Sequence, residues 1–318
     1  MTYHAGALDL ADAAIATGRY TKAGVRPSPR RFAEDGEVED AKLFFPTALI
    51  PHLRHEALVD LDPGRRRYLN AQYLYQWLEF TTHFEVAVVN RSCQRIAEGT
   101  AGLAVPVESR MAAFQIYVDE GYHSLYNLDV RLQLERASGI PALPFEFGPF
   151  LRQLDAVGDD LPGLRLLIQL LQVIVFETLI TSLLVEIPGD QNVKTLVRET
   201  VRDHAVDEGR HHRYFANLFG QLWQQLDPAV RITVAPFLPE LVVKSLQPSL
   251  SSHRLALRQV GLPDALVEDI LAESYSRAAT LEYIRDASAR TVALFIRCGV
   301  LEVPGAADAF HHFGLLKE

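Results

Sequence analysis

Between Leu164 and Pro188 the chain runs LRLLIQLLQVIVFETLITSLLVEI, apolar all the way round a helix, and Glu177 is the only acidic residue between Asp160 and Glu186. A run of that length and character is either a membrane span or the central helix of a large helical core. Arg165, Gln169, Gln172 and Glu177 favour the core, because a charge near the middle of a spanning helix is expensive. Placed in a core, Glu177 is a carboxylate sunk in hydrocarbon. Such a group needs a partner, which the remaining helices must supply.

Long helical patterns run over Arg65–Ala97, Glu108–Ala137, about Leu161–Glu186 and about Asn192–Gln225. They are separated by GTAGLAVP, by SGIPALPFEFGPF, read as a loop, and by IPGD. Further helices are expected near Ala235–Ser245, Ser251–Val260, Pro263–Glu273 and Ser276–Cys298. No run alternates as a strand would. Residues 1–64, with RPSPRR and the Pro46–Pro51 segment, are read as an irregular arm with short helical pieces. The expectation is all-α: one domain over 1–318, with a bundle of four long helices over about 65–225 and flanking helices over 226–318.

Two of the long helices carry the same local pattern, DEGYH at Asp119–His123 and DEGRH at Asp207–His211. Residues three apart share a helix face, so each Glu and its His reach one small volume. Alone, such a pair is common on solvated surfaces. Two Glu-x-x-His helices, each accompanied by a helix offering one more Glu, form the donor pattern of di-iron and di-manganese bundles. Helical phase finds both extra carboxylates. Glu85 shares a face with Leu74, Leu78, Thr81, Thr82, Val88 and Val89, whereas its rival Glu79 sits in phase with Tyr75, Gln76, Thr82 and His83. Glu177 shares its face with Leu170, Val173, Ile174, Ile180 and Leu184. A core carboxylate satisfied by a buried Arg is the bland alternative for either.

One turn before Glu208 stands His204, giving H-x-x-x-E-x-x-H, with Val197, Val201, Phe215 and Leu218 on the same face. It points toward the same volume, unless it is a core histidine bonded to a backbone carbonyl. His212 is rotated about 100° off that face, and His83 has the same standing. Asp119 and Asp207 precede the two motif glutamates, and each is placed to accept the ring N–H of the histidine on the opposite helix. Arg210 is then a candidate partner for one of these aspartates. Tyr117, Tyr122, Tyr126 and Tyr214 receive no role. Four carboxylates balance two Fe(II), and a donor set without thiolate favours iron or manganese.

Composition narrows the partners. A net charge of -9, from 40 acidic and 31 basic residues, with no Lys/Arg block, leaves no electrostatic footprint for nucleic acid or an anionic membrane. Cys93 and Cys298 are the only cysteines, so neither a disulfide framework nor a thiolate site is expected, and a cytoplasmic location fits.

Glu85, D-E120-x-x-H123, Glu177 and H204-x-x-x-E208-x-x-H211, in that order and at those separations, resemble the p-aminobenzoate N-oxygenase family (AurF and CmlI type). The resemblance covers about Arg65–Gln225. It implies a ferritin-like diiron enzyme, commonly homodimeric, that uses O2 to carry aromatic amines through hydroxylamine and nitroso stages to nitro compounds, with electrons from an outside donor such as a reductase. It further implies that all seven residues ligate iron and that Glu120 and Glu208 bridge. Glu85 and His123 would then serve one iron, and Glu177, His204 and His211 the other. C–H hydroxylation or desaturation, and ferroxidase or storage roles, remain the alternatives for such a bundle.

Overall fold

The computed structural model describes residues 23–25, 30 and 39–316, the side chains of 180–183 excepted. Most of the N-terminal arm, including RPSPRR apart from Arg30, lies outside the described residues. Within 39–62 three short 3-10 turns do form, at Thr47–Leu49, Pro51–Arg54 and Glu56–Leu58.

Helix α1 (Pro63–Phe84) starts where Asp62 accepts the Arg65 amide and Pro63 occupies the first turn. At Phe84 the ladder widens into a π turn over Glu85–Asn90, and α2 (Arg91–Glu98) continues to Gly99, whose φ of 76° ends it. The span expected as one helix is therefore continuous but not uniformly α, a distinction that hydrophobic period does not report. Helix α3 (Val107–Ser138) ends at Gly139 in the same left-handed conformation. At the end of the segment expected as a loop, α4 (Gly148–Asp155) begins and runs on past it, because Phe147 and Phe150 anchor it on Phe80, with ring centroids 5.7 and 4.9 Å apart.

The apolar run becomes α5 (Arg165–Leu183), and α6 (Thr195–Gln225) completes the long helices. Six more helices follow: α7 (Pro228–Val234), α8 (Leu238–Leu246), α9 (Ser251–Gln259), α10 (Asp264–Ser274), α11 (Arg277–Arg297) and α12 (Ala306–His312). Two of them, α7 and α12, stand where no helix was expected. α7 starts at a cap, Asp227 accepting the Ala229 amide at 2.7 Å with Pro228 next in line. Among the described residues there is no strand, and Leu43 and Val193 form an isolated bridge. The architecture is all-α and ferritin-like.

Packing explains why α5 is greasy on every side. It lies against α6 on one flank and against α8 and α11 on others. The window Pro162–Leu179 is long and apolar enough to cross a membrane by composition, yet 78% of it is buried within the protein. Leu170, Val173 and Ile174 are all but inaccessible, and each such side chain contributes about 1.5–3 kcal/mol on burial. Several together outweigh the cost of carrying Glu177 inward. One contiguous apolar cluster runs from Phe44 to Leu315, so the C-terminal helices share the core of the bundle.

Candidate metal centre

Four elements converge at the middle of the bundle: the π turn with Glu85, α3 with Glu120 and His123, α5 with Glu177, and α6 with His204, Glu208 and His211. The two lone glutamates each follow a phenylalanine, and the rings of Phe84 and Phe176 stack, which ties the π turn to α5 beside the centre. All seven side chains are at most 4% exposed.

Donor atoms fall into two overlapping groups. Glu85, Glu120, His123, His204 and Glu208 can place one atom each within 4.8 Å of one another, and so can Glu120, Glu177, Glu208 and His211. Glu120 and Glu208 belong to both. His204 lies with Glu85 and His123, its Nε2 3.2 Å from Glu85 Oε1 and 3.0 Å from Glu208 Oε1, and its ring stacked on that of His123. The resemblance had set it with Glu177 and His211 instead. The reason for the difference is axial. His204 is four residues before Glu208 and His211 three after, so the two imidazoles flank Glu208 about 10 Å apart along α6.

The cluster has the marks of a cation site. Glu120 Oε1, Glu177 Oε2, Glu208 Oε2 and His211 Nδ1 are buried without a hydrogen bond, a costly condition for carboxylates. His211 Nδ1 stands 2.8 Å from Glu120 Oε1, but the pair is misaligned for hydrogen bonding, so proximity alone does not satisfy it. The oxygen- and nitrogen-only donor set suits hard or borderline divalent ions such as iron and manganese.

Without a metal, protons must stand in. Burial opposes a charged His123, but its contacts with Asp207 and Glu120 prevail and hold its pKa well above the ordinary imidazole value. His211 is likewise raised well up, burial being outweighed by Glu120, Glu208 and Asp119. His204 is raised despite burial and the His123 charge, chiefly by Glu85 and Glu208. Burial and the Glu208 and Glu120 charges push Glu177 well above the carboxylate range. Glu208 goes the other way, well below it, as His211 and His204 overcome its burial.

Behind the donors the crossed arrangement expected from the paired motifs is present. His123 Nε2 lies 3.1 Å from Asp207 Oδ2 on α6, and His211 Nε2 lies 3.4 Å from Asp119 Oδ2 on α3. Each histidine turns Nδ1 to the glutamates, and its other nitrogen to the opposite helix, which fixes the tautomer. Arg210 ties the two aspartates together, bonding to Asp207 and lying 3.4 Å from Asp119 Oδ2.

The other candidates lie elsewhere. Glu79 pairs with Arg131 at 2.9 Å and approaches His83, which is exposed and stacks on Phe147. His212 is half-buried near the backbone of Glu177, off the donor face. Tyr214 donates to the Ser109 carbonyl and Tyr126 to the Val25 carbonyl. Tyr117 and Tyr122 are exposed. Three partners are not among the residues the sequence singles out. Ser124 Oγ lies 3.2 Å from Glu85 Oε2; being four residues after Glu120, it was within reach of the phase argument. The Gly24 and Val25 amides, which donate to Asp207, carry no local signal.

Residues 33–299, most of the chain, match the family described as P-aminobenzoate N-oxygenase AurF. No individual curated protein matches it.

Proposed function

Because the chain belongs to the p-aminobenzoate N-oxygenase family, we propose that its seven buried donors hold two iron ions and that the protein oxidises an aromatic amine with O2, through hydroxylamine and nitroso stages toward a nitro compound. The observation that carries this reading is the pair of overlapping donor groups sharing Glu120 and Glu208. Two carboxylates common to both groups are what a pair of bridged metals requires.

When bound, the iron pair supplies the electrons for O2 activation, and an external donor, an unidentified reductase, restores the ferrous state. The chain's own residues prepare the place. Glu120 and Glu208 would bridge, Glu85 and Glu177 would each close one end, and the three imidazoles complete the donor set. Asp119 and Asp207 hold the ring protons of His211 and His123 on Nε2 and so leave Nδ1 free to donate. Burial of all seven side chains keeps water from the reacting nitrogen.

An exposed face of α3 supports pairing of two copies. Along α3, Met111, Phe114, Val118, Leu125 and Leu132 are exposed at heptad-like spacing. We read this stripe as the contact of a homodimer; Val118→Glu with Leu125→Glu should then sediment as a monomer while wild type sediments as a dimer.

The deciding experiment is product analysis. Iron-loaded, chemically reduced protein exposed to O2 with a panel of arylamines should yield hydroxylamine, nitroso or nitro products. Iron-loaded protein that consumes O2 yet leaves every arylamine unchanged would end the proposal.

A further inference from the structure

Ala23, Gly24 and Val25 precede the bundle by some forty residues of sequence and yet lie against its metal-bearing helices. The Gly24 N–H donates to Asp207 Oδ1 at 2.7 Å and the Val25 N–H to Asp207 Oδ2 at 3.2 Å. The same Oδ2 faces His123 Nε2. From the other side the Tyr126 hydroxyl donates to the Val25 carbonyl at 2.9 Å, and Ala23, Val25 and Tyr126 bury one another as a small apolar patch. Farther along, Arg30 grips Asp203 through two bonds of 2.8 and 3.0 Å, while Gln133 donates to the Arg30 carbonyl at 2.9 Å. At Ala23–Val25 and again at Arg30 the arm is thus fastened to α6 and to α3.

Position 24 has no room for a side chain. A Cβ there would stand 2.0 Å from the Asp203 carbonyl oxygen and 3.1 Å from Asp207 Oδ2. Its φ is not in the positive region that favours glycine, so the requirement is close approach rather than backbone conformation. Val25 and Gly24 also roof a small space lined by His123, Asn127, Thr200 and His204, on the Glu85 side of the centre.

We propose that Ala23–Val25 is a strap that positions His123 for metal binding by locking Asp207, and that metal binding in turn tightens the strap. The proposal rests on the diiron reading above. Asp207 accepts from the two strap amides, from Arg210 and from His123. Withdrawing the amides frees the carboxylate to turn, and the imidazole loses its fixed orientation. Conversely, a metal on His123 Nδ1 holds the proton on Nε2 and strengthens the contact with Asp207. Coupling of this kind is reciprocal.

The tryptic bonds after Lys22 and Arg31 flank the strap in sequence. Iron-loaded wild type should be cut there about 10-fold more slowly than metal-free protein, a coupling in the usual range. Gly24→Ala should erase that difference, speed iron release to a chelator about 10-fold, and alter the Mössbauer signature of one iron while leaving the other. Its helical circular dichroism and metal-free Tm should stay near wild type, since the strap is outside the main apolar cluster. Should Gly24→Ala fail to fold, Tyr126→Phe removes a single strap bond and should move the same readouts in the same direction by less. Wild-type rates of cutting and release in whichever variant folds would overturn the proposal. A wild type that binds no iron ends the diiron reading instead, and the strap is then judged on metal-free protein. There Asp207→Asn, which weakens the acceptor of both amides, must speed cutting after Arg31, and unchanged cutting overturns the strap as well.

Discussion

On the Glu177 side of the centre, Glu120, Glu208 and Glu177 meet one imidazole, His211; on the Glu85 side, Glu120, Glu208 and Glu85 meet two, His123 and His204. Both sides rest on the same motif, and both turn a ring Nε2 to an aspartate on the opposite helix. Everything that separates them lies outside the motif. The Glu85 side takes its carboxylate from a π turn, gains a histidine one turn before Glu208, and is covered by the arm. The Glu177 side takes its carboxylate from a fully apolar helix, and its imidazole turns to Asp119. A repeated motif can therefore build two donor groups of different character once neighbouring elements supply unequal support.

The comparison is broken most severely by removing what the sides share. Glu120→Ala or Glu208→Ala should remove most of about two irons per chain, since each carboxylate belongs to both donor groups; elemental analysis that finds full iron in both variants would show that neither bridges. His204→Ala tests the added imidazole. Six donors remain, so the fold and most of the iron should persist, while arylamine oxidation falls by about 10-fold or more, at least what loss of an outer partner costs. Turnover at the wild-type rate would make the two sides equivalent in function.

Next come the aspartates. Asp119→Asn and Asp207→Asn keep size but weaken the acceptor, and iron retention against a chelator should fall about 10- to 100-fold. Asp207→Asn should cost more, because that carboxylate also accepts from the Gly24 and Val25 amides of the arm. Equal losses would say the arm adds nothing to the Glu85 side.

The smallest effect is in the pH dependence of metal-free protein. His123 and His211 have folded pKa values raised well above the unfolded one, so their stabilisation is present below about 6.5 and is lost as pH rises through the folded values. Glu177, also raised, acts in the same direction. Glu208 and Asp207 are lowered, so theirs is lost as pH falls through the folded values. Metal-free Tm should decline from neutral toward alkaline pH, and iron-loaded protein should resist that decline because metal replaces the protons. Parallel Tm curves for both forms would contradict this.

Much of the centre was legible because an α-helix is a rigid ruler. Glu120 with His123, and Glu208 with His211, share a face by spacing alone, and the faces of Glu85 and Glu177 announced themselves by apolar neighbours. The crossed aspartates followed from the symmetry of DEGYH and DEGRH. What spacing could not tell is which side His204 joins, since that depends on how four helices are staggered. Gly24 was invisible for another reason: what excludes a side chain there is a carbonyl on Asp203, remote in sequence. The α4 helix was hidden by its Pro and Gly residues, which read as breakers until Phe147 and Phe150 find Phe80.

The π turn at Glu85–Asn90 works like a slipped thread on a screw. One extra residue enters the turn, so everything after it is set back about 100° from where an unbroken helix would carry it. Arg91, just past the slip, reaches Asp155 through two bonds of 3.0 Å and Gln172 at 2.9 Å. Deleting one residue within Val86–Val89 would restore a regular thread. It would also swing Arg91 and the rest of α2 off those partners, so the length of this helix is fixed to the residue by contacts at both of its ends.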